Sequence, residues 1–323
     1  MHLTGLHHVT AITAKAAENV AFYTQVLGLR LVKKTVNQDD VSAYHLFYAD
    51  AVGSPGTDVT FFDWPQVVQN RKGAGTIAEI GLRVPSREAL DWWLQRLTVA
   101  GVSHEGISEE AERAWIRFSD PEGQALALVN DNGAPGGGIP WERSPVPEDR
   151  QIRGLNSVKL MVQILEPTAW VLTEVMGFRQ THTAPSSSNP ARQVVFFETG
   201  PGGPGSEVQV KAGPELQPGR VGRGGVHHVA FRTPNDAEHA QWRQRISEAG
   251  LQVTDIIDRY YFKSIYFREP GGILFEIATD GPGFATDEDV EHLGKQLALP
   301  PFLEPYREQI EAQLHPLEIE QLV

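Results

Sequence analysis

The chain repeats itself at one fixed offset along its 323 residues. Glycines and prolines of the first half recur 149 positions later, with almost no insertions between the two copies. The matched pairs are Gly5 and Gly154, Gly28 and Gly177, Pro85 and Pro234, Gly101 and Gly250, Pro121 and Pro270, and Gly123 and Gly272. Composition alone would scatter such matches over many offsets, so six pairs at one spacing indicate an internal duplication. The fold is therefore expected to contain two similar halves.

Each half contains two units that read as β-α-β-β-β. In the first unit an apolar strand leads into an amphipathic helix over 15–27, and Gly28 stands where a C-terminal helix cap belongs. Three strand-like runs follow this helix, at 29–36, 43–48 and 58–63. Further units begin near 78, 154 and 225, and Ser86 and Asn235 stand at the N-caps of two of their helices. These patterns predict an α+β fold built from four βαβββ modules.

The connection between the halves is expected over 131–153, which is rich in glycine and proline. The predicted domains are therefore an N-terminal domain at 1–149 and a C-terminal domain at 150–281, each with two modules. A helical tail at 282–323 lies outside the repeat.

Two strands of this pattern carry adjacent histidines, His7-His8 in the first unit and His227-His228 in the fourth. A third strand places Glu276 in an otherwise apolar run, where an unpaired carboxylate would be costly to bury. Neighbouring strand residues point to opposite faces. One histidine of each pair is therefore expected to enter a cavity, and the other to turn towards the opposite layer.

The duplication indicates which copy of the scaffold carries a site. The counterparts 149 positions away are Ser157 for His8, Glu79 for His228 and Ala127 for Glu276. Polar residues that differ from their counterparts thus cluster in the first and fourth units. One copy is expected to hold a functional site and the other to be empty.

Charge and composition exclude several functions. The formal charge of −13 argues against nucleic acid or an anionic membrane as the main partner. The absence of cysteine excludes disulfides and thiolate chemistry. Neither a signal segment nor a long apolar run is present, which predicts a cytoplasmic protein without a membrane span.

With these residues in place, the chain resembles the vicinal-oxygen-chelate superfamily of glyoxalases and extradiol dioxygenases, and within it the ring-cleaving dioxygenases of hydroquinones. The resemblance runs from Leu6-His7-His8 through Val226-His227-His228 to the run from Pro270 to Glu276. It implies two tandem domains whose modules pair into half-open barrels. It also implies that His8, His228 and Glu276 bind Fe(II), and that Tyr266 lines the active site.

The chemistry of this ligand set agrees with the resemblance. Two neutral imidazoles and one carboxylate on one face of an octahedral ion leave other positions open, as in non-heme Fe(II) oxygenases. A deprotonated substrate hydroxyl and O2 can then bind side by side. We therefore expect an Fe(II)-dependent, extradiol-type dioxygenase that opens a hydroxylated aromatic ring such as a hydroquinone or catechol, with Mn(II) as an alternative metal.

Five further residues are assigned to the site. Tyr266 is expected to position or protonate the oxygenated substrate, and His227 to act beside it. The pocket is expected to include His7, Thr10 and Arg259, where Thr10 shares a strand face with His8. Packing is the alternative for His7 and His227, and an ion pair with Asp255 is the alternative for Arg259. The histidines expected to be solvated are His45, His104, His182, His239, His292 and His315.

Two other functions remain open from the sequence. A glyoxalase-like isomerase or lyase could use Ni, Zn or Mn on the same scaffold, although it would usually need a fourth protein ligand. A non-catalytic binder of aromatic or quinone compounds would have lost its metal. The sequence leaves open the ring substituents that are accepted and whether the chain forms a homo-oligomer.

Overall fold

The computed structural model describes residues 1–110, 113–186 and 189–317. The predicted βαβββ order is present four times along this part of the chain. The first module contains β1 (Leu6–Thr13), α1 (Ala16–Ala21), β2 (Arg30–Asn37), β3 (Asp40–Ala49) and β4 (Asp58–Asp63). The second contains β5 (Thr76–Val84), α2 (Arg87–Val99), β6 (His104–Glu110), β7 (Arg113–Ser119) and β8 (Ala125–Asn130).

The second half repeats this order. The third module contains β9 (Leu155–Val162), α3 (Leu165–Trp170), β10 (Arg179–Ser186), β11 (Asn189–Glu198) and β12 (Glu207–Ala212). The fourth contains β13 (Gly225–Thr233), α4 (Asp236–Glu248), β14 (Ile257–Asp258), β15 (Lys263–Arg268) and β16 (Leu274–Thr279). Helices α1 and α3 each continue into one turn of π-helix, at Phe22–Val26 and Val171–Val175, which also match at the offset of the duplication.

The two predicted N-caps are confirmed. Ser86 Oγ accepts a hydrogen bond from the backbone N–H of Ala89, and the Asn235 side chain accepts one from Glu238. These bonds satisfy donors that would otherwise be unpaired at the start of α2 and α4.

The strands form two eight-stranded curled sheets in the described part of the chain. One has the order β14-β15-β16-β13-β1-β4-β3-β2, and the other has the order β10-β11-β12-β9-β5-β8-β7-β6. The first module therefore shares a sheet with the fourth, and the second with the third. Each sheet is joined at its middle by an antiparallel pair, β1 with β13 and β5 with β9.

Backbone hydrogen bonds between the two sheets repeat the duplication. The Leu6 N–H donates to Gly205 O over 2.7 Å, and the Leu155 N–H donates to Gly56 O over 2.9 Å. Both donors and both acceptors are 149 positions apart. The contact between the two sheets is thus approximately two-fold symmetric, as expected for a duplicated chain.

The main core lies between the helices and one face of each sheet. Buried side chains of this core include Val9, Leu82, Trp93, Phe231 and Trp242. The opposite, concave face of the first sheet has a smaller apolar cluster. Its members are Val32, Phe47, Ala49, Ala230, Tyr261, Phe262, Ala278, Phe284 and Leu293.

Beyond β16 the chain forms three 3-10 turns and then α5 (Arg307–Gln313). The last six residues of the predicted tail, 318–323, lie outside the described residues. The division into domains at 1–149, 150–281 and 282–323 stays a prediction. Among the residues described, no helix combines the length and the apolar character needed to cross a membrane.

Candidate metal centre and pocket

Both histidine pairs lie at β-bulges in the pairing of β1 with β13. Leu6 and His8 oppose Phe231 and Ala230, so His7 is the extra residue of β1. Thr10 and Ala11 oppose His228 and Val226, so His227 is the extra residue of β13. A bulge breaks the strict alternation of side chains. In each pair the two Nδ1 atoms lie 2.8 Å apart, so the two rings are in contact on the same side of the sheet. The expectation that one ring of each pair turns to the opposite layer is therefore wrong.

The three predicted ligands meet on the concave face of the first sheet. Glu276 Oε2 lies 3.2 Å from His8 Nε2 and 2.9 Å from His228 Nε2. All three side chains are buried, and their ligand atoms lie within 4.8 Å of one another. The other carboxylate oxygen, Oε1, accepts a hydrogen bond from Ser264 Oγ over 2.5 Å. The strands β1, β13 and β16 thus bring together two nitrogens and one oxygen.

The contacts of Glu276 fit a cation between these atoms. Its Oε2 has no partner with hydrogen-bond geometry, although two imidazole nitrogens lie within 3.2 Å. Burial alone would raise the pKa of this carboxyl, but the two imidazoles hold the pKa well below its usual value. A buried carboxylate oxygen without a hydrogen-bond donor is costly, and a bound metal ion would remove that cost.

The backbone partner of His7 sets the direction of the hydrogen bond between His7 and His8. His7 Nε2 lies 3.1 Å from the carbonyl oxygen of Thr279, which can only accept, so His7 donates there. Burial and the neighbouring His8 lower the pKa of His7 well below its usual value, which keeps the ring neutral. Its Nδ1 must then accept from the Nδ1–H of His8. In the neutral ring of His8, this leaves Nε2, which lies next to Glu276, as the nitrogen that can bind a metal.

His227 stands behind His228 in the same way. Burial, with a smaller effect of His228, lowers the pKa of His227 to about 3, so this ring is also neutral at pH 7. Its ring contacts Phe62 and Trp64 at centroid distances of 5.6 and 6.0 Å. Neither His7 nor His227 is among the residues that line the pocket.

The pocket opens on the site and contains about 450 Å³ of space, part of which is open to solvent. It is formed by strands of the first module and by the segment before β15. Its lining residues are His8, Thr35, Val36, Asn37, Gln38, Asp39, His45, Phe47, Phe62, His228, Arg259, Tyr261, Phe262 and Tyr266. Aromatic side chains are frequent in this wall, as expected for a site that takes a flat ring.

Tyr266 lies in the pocket wall beside the three candidate ligands. It is directly opposite Glu276 in the pairing of β15 with β16, and its ring centroid is 5.8 Å from that of His228. Burial, and then the charge of Glu276, raise the pKa of Tyr266, so its hydroxyl keeps its proton at neutral pH.

Arg259 also lines the pocket, with its guanidinium carbon 5.4 Å from the centroid of the Tyr266 ring. Its two terminal nitrogens donate to the carboxylate of Asp39 over 3.1 and 2.8 Å. The alternative ion pair with Asp255 is not formed, because Arg243 binds that carboxylate at 2.5 Å. Asp39 lies at the turn between β2 and β3, so the ion pair fastens this turn over the pocket.

His45 lines the pocket, and the prediction that it is solvated is wrong. Its Nε2 lies 2.9 Å from Thr60 Oγ1, which in turn donates to Thr10 Oγ1 over 2.9 Å. Thr10 thus supports His45 from behind. A signal in the sequence was available: the counterpart of His45, 149 positions later, is the apolar residue Val194.

The prediction for His239 is also wrong, since this residue is fully buried within α4. Its Nε2 lies 2.9 Å from the carbonyl oxygen of Ile277. His239 is buried, despite its polar side chain, because it lies on the face of α4 that packs against β16.

The counterpart face of the second sheet holds an ion-pair cluster. Glu79, the counterpart of His228, accepts from Lys159 Nζ at 2.9 Å and from Arg117 Nε at 3.1 Å. Within the described ranges, the only group of three such ligand residues is the one at His8, His228 and Glu276.

Comparisons with known proteins give the context of this geometry. The model of the Glyoxalase/Bleomycin resistance protein/Dioxygenase superfamily matches residues 5–128 and again 154–277. A Bacillus subtilis protein named "Putative ring-cleaving dioxygenase MhqA" is 46% identical, over 98% of this chain and 100% of its own. The "Chlorohydroquinone/hydroquinone 1,2-dioxygenase" of Sphingobium indicum is 31% identical, over 95% and 94%.

Two solved structures are also similar. A crystal structure titled as a dioxygenase of Bacillus subtilis has a TM-score of 0.90 at 38% identity and covers 99% of both chains. Glyoxalase I from Zea mays has a TM-score of 0.61 at 14% identity, over 85% of this chain and 92% of its own, which shows a common fold.

Proposed function

This chain belongs to the Glyoxalase/Bleomycin resistance protein/Dioxygenase superfamily, and from that membership we propose that it is an Fe(II)-dependent dioxygenase that opens a hydroquinone-type aromatic ring with O2. His8, His228 and Glu276 hold the metal in this proposal. The observation that carries it is the convergence of the Nε2 atoms of His8 and His228 on a buried carboxylate oxygen that lacks a hydrogen bond. The names of the relatives support the ring-cleaving reaction and the hydroquinone class of substrate.

The metal would supply one part of the chemistry, which is to lower the pKa of a substrate hydroxyl and to transfer electron density to O2. The protein supplies the orientation of the ligands. His7, anchored to the Thr279 carbonyl, and His227 hold the Nδ1 atoms of His8 and His228. Partners of this kind typically affect metal affinity by 10- to 100-fold.

The pocket wall supplies groups for the substrate. Tyr266, with its proton retained, can donate a hydrogen bond to a substrate oxygen as negative charge develops there. Arg259 places a positive charge beside the Tyr266 ring, and the carboxylate of Asp39 holds the Arg259 side chain in position. His45, whose pKa is lowered by burial and which therefore stays neutral, can accept a hydrogen bond from a second hydroxyl of the substrate ring.

The glyoxalase-like alternative would usually need a fourth protein ligand. No fourth histidine, cysteine or carboxylate joins the group of three in the part of the chain that is described. The three candidate ligands lie next to an aromatic pocket wall, which favours a ring-shaped substrate that would bind the metal directly.

The test combines metal content with O2 consumption. Protein purified without oxygen and loaded with Fe(II) should bind about one iron per chain and consume O2 with hydroquinones, and it should form no thioester from methylglyoxal and glutathione. His8→Ala and Glu276→Gln should lose iron and turnover, because each removes one of three ligands. The matched controls Ser157→Ala and Ala127→Ser change the counterparts in the second sheet and should keep both. A wild-type protein that binds iron but consumes no O2 with any hydroquinone or catechol would overturn the proposal.

A further inference from the structure

The segment after β16 returns to the concave face of the first sheet. Phe284 is only 4% exposed, and its ring contacts Phe47 and Tyr261 at centroid distances of 5.0 and 5.4 Å. Both of these residues line the pocket. Gly53 provides the space for the Phe284 ring, since a Cβ atom at Gly53 would lie 2.3 Å from it. Phe284 therefore backs two aromatic residues of the pocket wall from a closely fitted position.

A buried lysine holds this segment in place. Lys33 on β2 is completely buried, and its Nζ donates to the Phe284 carbonyl at 3.1 Å, to Asp287 Oδ1 at 2.7 Å and to Glu288. The hydroxyl of Tyr261 donates to the second oxygen of Asp287 over 2.8 Å. Removing one partner of a buried ion pair leaves an uncompensated charge, so these contacts fix the position of the segment strongly.

The second sheet shows the environment of the position equivalent to Lys33 where, in the described part of the chain, no segment like 284–288 covers it. The counterpart of Lys33 is His182, which is exposed and stacks on Phe196 at a centroid distance of 4.0 Å. Phe196 is the counterpart of Phe47. The duplicated scaffold therefore does not require a buried cation here. Lys33 and the segment at 284–288 belong to the sheet that carries the candidate metal centre.

We propose that Phe284 determines the size of the aromatic substrate, and that Lys33 is the positioning residue that holds it there. Phe47 and Tyr261 cannot move outward while Phe284 fills the space behind them. The pocket then takes a single ring with small substituents and excludes a bulky alkyl group. This inference rests on the proposed function, because it assumes that the ligand is a phenolic ring bound beside the metal.

The test measures binding rather than turnover. The ratio of the affinities for 4-tert-butylphenol and phenol is determined by calorimetry under anaerobic conditions with the iron-loaded protein. One methylene group in an apolar pocket is worth about 10- to 200-fold in discrimination. In Phe284→Ala the ratio should rise by about tenfold or more in favour of the larger phenol, and in Phe284→Leu by less. The control Phe118→Ala makes the same truncation in the second sheet and should leave the ratio unchanged.

Lys33→Met should shift the ratio in the same direction, and Lys33→Arg should restore the wild-type value. An unchanged ratio in a folded Phe284→Ala protein would overturn the inference. If that variant does not fold, an unchanged ratio in Phe284→Leu has the same meaning. Because neither phenol needs to be cleaved, a wild-type protein that binds phenol but opens no hydroquinone would disprove the proposed function and leave this test valid.

Discussion

Tyr266 combines three properties that a proton donor in the pocket needs. It faces Glu276 across one strand pair, its ring contacts that of His228, and its raised pKa keeps the hydroxyl protonated. We predict that Tyr266→Phe binds iron and substrate normally but loses about 100-fold in kcat, the effect typical of a positioned acid. Steady-state O2 consumption at matched iron content measures this loss. Turnover at the wild-type rate would assign the residue to packing.

His7 should act through His8 and not through the substrate. We predict that His7→Ala lowers the affinity for Fe(II) by about 10- to 100-fold. Without the acceptor on His7, the His8 ring populates its Nδ1–H tautomer less often, and this is the tautomer that leaves Nε2 for the metal. The KM for substrate at saturating iron should change little. The matched control is Asn156→Ala, which removes the residue at the equivalent bulge of β9. Equal iron affinity in His7→Ala and wild type would contradict the tautomer argument.

At the level of single residues, the sequence predicted which side chains meet but not how. His8, His228 and Glu276 could be found because they differ from their duplicated counterparts. The orientation of His7 and His227 could not, because a bulge adds one residue to a strand without changing its composition. His45 also differs from its counterpart, Val194, but a single histidine on a strand gives no information about which face of the sheet is concave.

At the level of elements, the contact between α1 and the second sheet should make stability depend on pH. Tyr23, in the π-helical turn after α1, donates to Asp120 over 3.3 Å, and burial raises the pKa of Asp120 to about 6. The folded state then keeps a proton that the unfolded chain has already released. Stability should therefore fall as the pH rises from about 4 to above 6.

We predict that Asp120→Asn removes this part of the slope, worth up to about 3 kcal/mol for a shift of two pKa units. The asparagine can still accept the backbone N–H groups of Glu122 and Gln124. Urea unfolding at pH 4 and pH 8 measures the difference. Asp63, whose pKa is also raised to about 6, contributes the same slope to both proteins. Identical slopes in the two proteins would disprove the assignment.

Elements with local signals were predicted well. The helices α2 and α4 were found from their caps and terminal glycines, which act within a few residues of the helix end. The edge strand β14 is short, because only Ile257–Asp258 pairs regularly with β15. An edge strand has one neighbour, so the length of its ladder depends on the adjacent loop as much as on its own residues.

At the level of the whole molecule, the pairing of modules was not visible in the sequence. The repeat indicates two halves, but it does not show which module of one half shares a sheet with which module of the other. The structure pairs the first with the fourth. The location of the polar residues in those two units was the only sign of this arrangement.

This pairing predicts how fragments of the chain behave. Residues 1–149 contain His8, and residues 150–323 contain His228 and Glu276. Each fragment alone should bind iron poorly and self-associate, since β1, β5, β9 and β13 would lack their antiparallel partners. Co-expression of the two fragments should restore one iron per pair, as measured by metal analysis of the purified complex. Full iron binding by 150–323 alone would show that His8 is dispensable.

The union of the first module with the last also has a consequence for biosynthesis. His8 and Glu276 are 268 positions apart in the chain. At a synthesis rate of about 5–20 residues per second, on the order of 13 s or more separates their emergence from the ribosome. A nascent or prematurely terminated chain that ends before Glu276 has β1 and its two histidines but cannot complete the ligand set. Under the proposed function, the metal can therefore be held only after almost all of the chain has been made.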